Sequence, residues 1–367
     1  MNEDQGTNII KRGRPETRDK LIKILNSVYR TSENPLEGMA LEFPHLFSLE
    51  NIHNTYYIED EGIPVSQASV YEWTCFLNGV NISVVSLGSV STLEKYRHRG
   101  LSTKIIRRIM EDKRDEGFSL MLVSGEIELY TKLNCVKAGL VYSTTFHTGS
   151  AKGLWECNVV SEEERVKHAE KYHTIYSRES YRYLRTENLT ATLMNALWFK
   201  RKSHRMELFE ILNVGELVAY VVVYAGISNE NGSVMEYAGS RDAVVDCLPS
   251  IAQSMGWKSI RVSVNPEDYA MIHIVDKNGL AVNHVKSQGT MVVLNWNNLV
   301  DQLNPIVIER TGSPLSVKEG PGERWVITIG NRNISVNGID GLTSLIFGDE
   351  EESLKIPLMF TNDLSYI

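Results

Sequence analysis

The chain has 367 residues, enough for two or three domains, and its 42% hydrophobic and 23% charged residues are ordinary for a soluble globular protein. A net charge of −8 argues against a general nucleic-acid binder, and no run approaches the apolar length of a membrane span, so neither nucleic acid nor membrane is expected as a partner. The opening MNEDQGTNIIKRGRP lacks the apolar core of a secretory signal, and the four cysteines (Cys75, Cys135, Cys157, Cys247) form no CxxC pair and no metal spacing, so a cytoplasmic protein without a metal is expected.

In chain order, Leu21, Ile22, Ile24, Leu25 and Val28 recur at helical spacing and predict a helix over 14–30, broken at Asn34-Pro35. Strands are expected over 54–59, 63–71 and 81–93. The last of these runs into a short basic turn, Arg97-x-x-Gly100-x-Ser102, which opens a basic amphipathic helix over 103–116. A strand, a glycine turn and a helix N-terminus make a place for an anion, because free N–H groups and the helix dipole both favour negative charge there. The spacing is neither Gly-x-x-x-x-Gly-Lys-Ser/Thr nor Gly-x-Gly-x-x-Gly, which excludes a Walker loop and a dinucleotide fingerprint at this turn. Gly117 is placed to stop the helix, and a buried strand is expected over 119–124. After it comes Tyr130-Thr131-Lys132-Leu133-Asn134-Cys135, where Asn134 can hold a left-handed backbone.

The turn and the Tyr130 segment, in this order and at this distance, resemble the two signature motifs of the GNAT acyltransferases. Ser102 stands where that family usually has Gly or Ala, and Glu94 where it often has Pro. The resemblance implies an acetyl-CoA site. The backbone of Val90, Ser91 and Thr92 would bind the pantetheine arm, and the turn of Arg97, His98, Arg99, Gly100, Leu101, Ser102 and Thr103 would take the pyrophosphate. Tyr130 would be the general acid for the leaving thiolate. The base is open. The central strand has no carboxylate before Glu94, Glu126 follows the next strand, and a water chain is a further route. Trp73, Phe43 and Phe47 are candidate walls of an acceptor pocket, or simply core.

Residues 153–212 read as a polar, helix-rich linker leading into a second unit. From GELVAYVVVYAG onward, strand, helix, strand and helix return in the earlier order. The cradle position there reads EYAGSRDAVV, without the Arg-x-x-Gly signature, so this copy is expected to be a structural wall. The final part, a helix, two alternating strands and a short helix, resembles the sterol-carrier-like domain of the enhanced-intracellular-survival (Eis) type of acetyltransferase. In that type the C-terminal carboxylate serves as base, which points to Ile367 here. The expected fold is α+β, with tandem GNAT folds around mixed central sheets and a small sterol-carrier-like domain. The expected domains are 1–150 with the acetyl-CoA site, 151–298 without it, and 299–367. The expected function is acetyl transfer to a primary amine of a small molecule, aminoglycoside- or polyamine-like, by direct attack. The alternative is a non-catalytic acyl-CoA-binding or regulatory protein. Apolar strands and several small domains make a homo-oligomer plausible.

Overall fold

The computed structural model describes residues 9–29, 38–149, 153–200, 204–359 and 363–365. In chain order they form β1 (Lys11–Arg12), α1 (Arg18–Tyr29), α2 (Met39–Glu42), β2 (Thr55–Asp60), β3 (Ile63–Leu77), β4 (Val80–Thr92), α3 (Leu101–Asp115), β5 (Leu120–Val123) and α4 (Glu128–Thr131). Next come β6 (Leu140–His147), β7 (Glu156–Val159), α5 (Glu162–Lys167), α6 (Ala169–Tyr176), β8 (Tyr181–Tyr183), α7 (Glu187–Lys200), β9 (His204–Asn213), β10 (Glu216–Gly226) and β11 (Asn231–Gly239). The rest are α8 (Arg241–Ser254), β12 (Ser259–Val264), α9 (Tyr269–Lys277), β13 (Asn283–Lys286), β14 (Thr290–Val293), α10 (Trp296–Thr311), β15 (Leu315–Gly320), β16 (Arg324–Ile329), β17 (Arg332–Asn337) and α11 (Gly338–Phe347).

The chain divides into two compact units. One takes the residues up to Ala138 together with Gln288–Leu354; the other takes Gly139–Ser287 and the segment from Lys355 to Ser365. In the first unit the strands run β1-β2-β3-β4-β5-β14. All neighbours are antiparallel except β4 and β5, which are parallel. The β3–β4 hairpin closes through Asn78-Gly79, both at positive φ, as a tight two-residue turn needs. Period-two alternation sends Ala68, Val70, Val85 and Leu87 to one face, where Ile105, Ile106 and Ile109 of α3 cover them. The other face carries α1 and α2, with Ile22, Leu25 and Phe47 buried beside Tyr71. Phe47 (0% exposed) and Trp73 (3%) are therefore core residues of that face, and Phe43 packs against the same cluster. The later part of this unit is α10, an antiparallel sheet β15-β16-β17, and α11.

The second unit repeats the plan. β9, β10 and β11 are antiparallel neighbours, α8 follows, β12 returns parallel to β11, and α9 comes next. Its 7-stranded sheet runs β13-β6-β12-β11-β10-β9-β7. One face packs on α8 and α9 through Val244, Leu248, Ile251 and Met271. The other packs on α6 and α7 through Tyr172, Leu193, Met194 and Leu197. The stretch read as a linker is thus the helical cover of this sheet, followed by β9.

The units cross the expected boundaries at 150 and 298. β6, the strand after α4, pairs with β12 in the second sheet, while β14 pairs with β5 in the first. Residues 299–354 group with the first unit and the described residues from Lys355 with the second. The physical reason is that ladder partners decide which sheet a strand joins, and a short apolar run does not encode its partner locally.

Candidate active site

β4 and β5 pair only from Val84–Leu120 to Leu87–Val123, after which β5 ends and β4 continues to Thr92. On its other side β4 carries a bulge. Ser69 faces Gly88 but Gln67 faces Ser91, so β4 holds one extra residue, and Ser89 adopts a left-handed φ of 56°. The backbone from Gly88 to Thr92 is therefore turned out of the β4–β5 ladder. Val90, Ser91 and Thr92 lie in this splayed stretch.

The turn after β4 leads into α3. Gly100 is its N-cap at φ 73°, with only open space where a Cβ would be, and His98 is also left-handed at 62°. The first backbone bond of the helix runs from Lys104 N to Gly100 O at 3.0 Å, which leaves the N–H groups of Leu101, Ser102 and Thr103 without an intrahelical acceptor. No acidic residue lies in this first turn. Arg97 Nε donates to Thr92 O at 3.2 Å, bracing the turn against the strand. Lys95 and Arg99 hold their charges over the Tyr96 ring at 4.8 and 5.1 Å, and Tyr96 is itself pinned to Asp60 at 2.5 Å. Ser102 is explained by its hydroxyl. It joins Thr92 Oγ1 at 2.8 Å, which joins Ser66 Oγ at 2.8 Å, so the side chain is drawn toward the strands and away from the open face. Leu101 is a core residue that offers only its backbone.

Tyr130 is buried in α4, and its ring rests on Gly125, where a Cβ would come within 2.4 Å of it. Burial, with smaller contributions from Tyr29 and Cys135, pushes its hydroxyl up to about 12. Asn134 takes the left-handed backbone, φ 61°, that its position requires. Glu126 is half-exposed and ion-paired with Lys137 at 3.0 Å. Ile367 lies outside the described residues. Residues Asp363, Leu364 and Ser365 before it are buried in the second unit, where Arg185 binds Ser365 Oγ at 2.8 Å.

Two features escape the sequence. Tyr29, at the end of α1, donates its hydroxyl to Val90 O on the bulge. Burial raises its pKa, and the charge of Arg97 works against that. No local signal marks it, since 61 residues separate it from Val90. The second feature is a polar strip on the sheet face away from α3. The Gln67 amide, Ser86 Oγ and Ser91 Oγ are buried there with no hydrogen-bond partner among the described residues. Alternation and the Gln67–Ser91 pairing put them on one face beside the bulge.

The second unit has the matching splay, since β11 and β12 pair only from Asn231–Ser259 to Ser233–Arg261. The start of its helix is different. Ser240 caps Ala243 N itself at 3.3 Å, and Arg241 is tied to Glu179 and to Asp268. A cavity of about 860 Å³ lies here, lined among others by Glu236, Asp242, Glu267 and Asp363.

An N-terminal region open to an anion, a splayed strand and a buried neutral phenol form one set in the first unit. Residues 10–137 match the acetyltransferase (GNAT) domain family. No curated protein matches the sequence. Among solved structures, a GCN5-related N-acetyltransferase from Anabaena variabilis is similar at 12% identity and TM-score 0.64, over 96% of this chain and 97% of that one. A conserved protein of unknown function from Enterococcus faecalis, described as a probable N-acyltransferase, is similar at 13% identity and TM-score 0.62, over 90% and 85%. Eis1 from Mycobacterium abscessus is similar at 12% identity and TM-score 0.59, over 93% and 90%. At these identities the likeness is one of fold, and it extends over both units.

Proposed function

We propose, from residues 10–137 being a GNAT acetyltransferase domain, that the protein is an N-acetyltransferase that moves an acetyl group from acetyl-CoA to a primary amine of a small molecule. The observation that carries this is the splay of β4 from β5 beside the Gly100 turn. The residues fit the donor. Unbonded N–H groups at the start of α3 suit a pyrophosphate, and the edge of Val90–Thr92 that β5 leaves uncovered suits the amides of a pantetheine arm, with Val90 O and Thr92 O already accepting from Tyr29 and Arg97. The donor supplies an activated thioester; the chain supplies position and a proton. Tyr130, neutral at physiological pH, protonates the leaving sulfur, and its ring is fixed by Gly125. The strand holds no carboxylate that could take the proton of the amine, and Glu126 is engaged by Lys137, so the amine enters as the free base. Its attack breaks the C–S bond as Tyr130 protonates the sulfur, and the proton then shed by the new amide nitrogen passes to solvent, which reprotonates Tyr130.

Calorimetry with acetyl-CoA tests the donor site. Wild type is expected to bind, and Arg97→Ala and Gly100→Glu to weaken binding about tenfold or more. Thiol release across a panel of primary amines tests the reaction. Tyr130→Phe is expected to lower kcat about tenfold to hundredfold while the acetyl-CoA affinity holds. Absence of binding by wild type overturns the proposal. Binding without turnover across the panel would leave an acyl-CoA-binding protein instead.

A further inference from the structure

Two of the four cysteines meet in the second unit, although they lie far apart in the chain. Cys157 is on β7, a four-residue strand at the edge of the sheet that pairs with β9. In that ladder Cys157 stands opposite Ile211. Residues directly opposite in an antiparallel pair point to the same face. Ile211 is 0% exposed and lies in the cluster that packs under α8. Cys247 is on α8, about one turn from Val244 and from Ile251, and is buried in the same cluster. Cys157 packs against this cluster from the sheet edge and stays partly exposed. The two thiols hydrogen-bond each other across the seam between strand and helix. Both are free thiols, and the proposed acyl transfer uses neither.

We propose that Cys157 and Cys247 are a redox pair, which hydrogen peroxide joins into a disulfide that staples β7 to α8. A disulfide needs its sulfurs at bonding distance, and a short edge strand held by one ladder can shift to meet that need.

The hydrogen bond to Cys247 raises the pKa of Cys157, with burial adding to the rise, and the same bond lowers that of Cys247 against burial. The pair gives up one proton as a unit, and the S–H that remains steadies the thiolate. Cys157 is the sulfur that an oxidant reaches. As it attacks a peroxide oxygen, its proton passes to the Cys247 thiolate, an S–O bond forms, the O–O bond breaks and hydroxide leaves. Cys247 then attacks the sulfenic sulfur, the S–S bond forms, the S–O bond breaks and a second hydroxide leaves. The two thiol protons convert the hydroxides to water, and the two electrons lost by the sulfurs reduce the peroxide.

The test uses the full chain, first reduced and then treated with one equivalent of hydrogen peroxide. Thiol counting in denaturant should show the loss of two of the four thiols. Proteolysis without reductant should release a peptide pair joined through Cys157 and Cys247, which dithiothreitol separates. Cys75 and Cys135, buried in the first unit at 0% and 3% exposure, should remain thiols. Amide hydrogen exchange over 156–159 should slow about threefold or more in the linked protein. Cys157→Ser, a change at a partly exposed edge position, should lose no thiols to a disulfide. The proposal is overturned if all four thiols survive, if thiols are lost to sulfinic acid without a link, if the link joins other cysteines, if Cys157→Ser still loses two thiols, or if exchange over β7 does not slow.

Discussion

At the scale of single residues, what was legible was whatever a backbone conformation or a small side chain demands. Asn134 was readable because few residues other than glycine tolerate the left-handed region, and the structure puts it at φ 61°. Ser102 was readable as a small residue, but its bond to Thr92 was not, because that contact depends on how the turn folds back on β4. Tyr29 was invisible for the same reason on a larger scale. The acid role proposed for Tyr130 makes a pH prediction. Its hydroxyl is raised to about 12, so the protonated form needed for donation persists well above neutrality. The rate should therefore rise with pH as the amine loses its proton, and then hold to about pH 10. A kcat/KM profile for a single amine checks this. An alkaline fall below about pH 9 that disappears in Tyr130→Phe would remove Tyr130 from the role of a raised, neutral acid.

At the scale of elements, periodicity found α1, β2, β4, α3 and β5 close to their observed bounds, because each has one face toward a core. It shortened β3, whose far end to Leu77 carries polar and charged residues on its second face. It also missed what anchors α3 to the sheet. Lys113, 1% exposed, reaches Asn54 at 2.9 Å, Glu72 at 2.5 Å and Glu116 at 2.6 Å. Its place on a basic helix gives no sign of this burial in the sequence. Burial alone would raise Glu116, but hydrogen bonds from Lys113 and Arg12 outweigh it and hold its pKa below the ordinary value. A depressed carboxylate gives stability that is present above its unfolded pKa and is lost as pH falls through the folded one. Removing Lys113 also strips the partner from the buried Asn54 carbonyl and from the part-exposed Glu72 and Glu116. Lys113→Met is expected to cost about 2 kcal/mol at neutral pH, mostly from the buried Asn54 Oδ1 it leaves unpaired, since solvent screens the two part-exposed carboxylates. The gap should narrow below about pH 4, where Glu116 protonates in wild type too. Urea titrations of both proteins at the two pH values measure it, and a loss below about 0.5 kcal/mol would show that the cluster is not an anchor.

At the scale of the molecule, the recurrence of strand, helix, strand and helix was legible, while the assignment of β6 and β14 to their sheets was not. The repeat raises the question of how many molecules of the proposed donor, acetyl-CoA, one chain would hold. Both units splay their parallel pair, so strand geometry alone would allow two. The helix starts decide. At α3 the turn carries Arg97 and Arg99, the first turn has no acid, and three N–H groups face outward. At α8, Ser240 takes one of these donors, Asp242 adds a negative charge to the first turn, and Glu179 accepts from Gly239 N at 2.9 Å. Arg241 does not rescue the second cleft, because Glu179 and Asp268 already occupy its guanidinium. An incoming pyrophosphate would meet carboxylates where the first unit offers free donors, and the helix dipole there is already answered. One acetyl-CoA per chain is therefore expected. Calorimetry should give a stoichiometry of one in wild type and, in Gly100→Glu, no event of wild-type affinity. Arg241→Ala, which unpairs two carboxylates in the second cleft, should leave that stoichiometry at one. A second binding event that survives Gly100→Glu and disappears in Arg241→Ala would place a working cradle in the second unit.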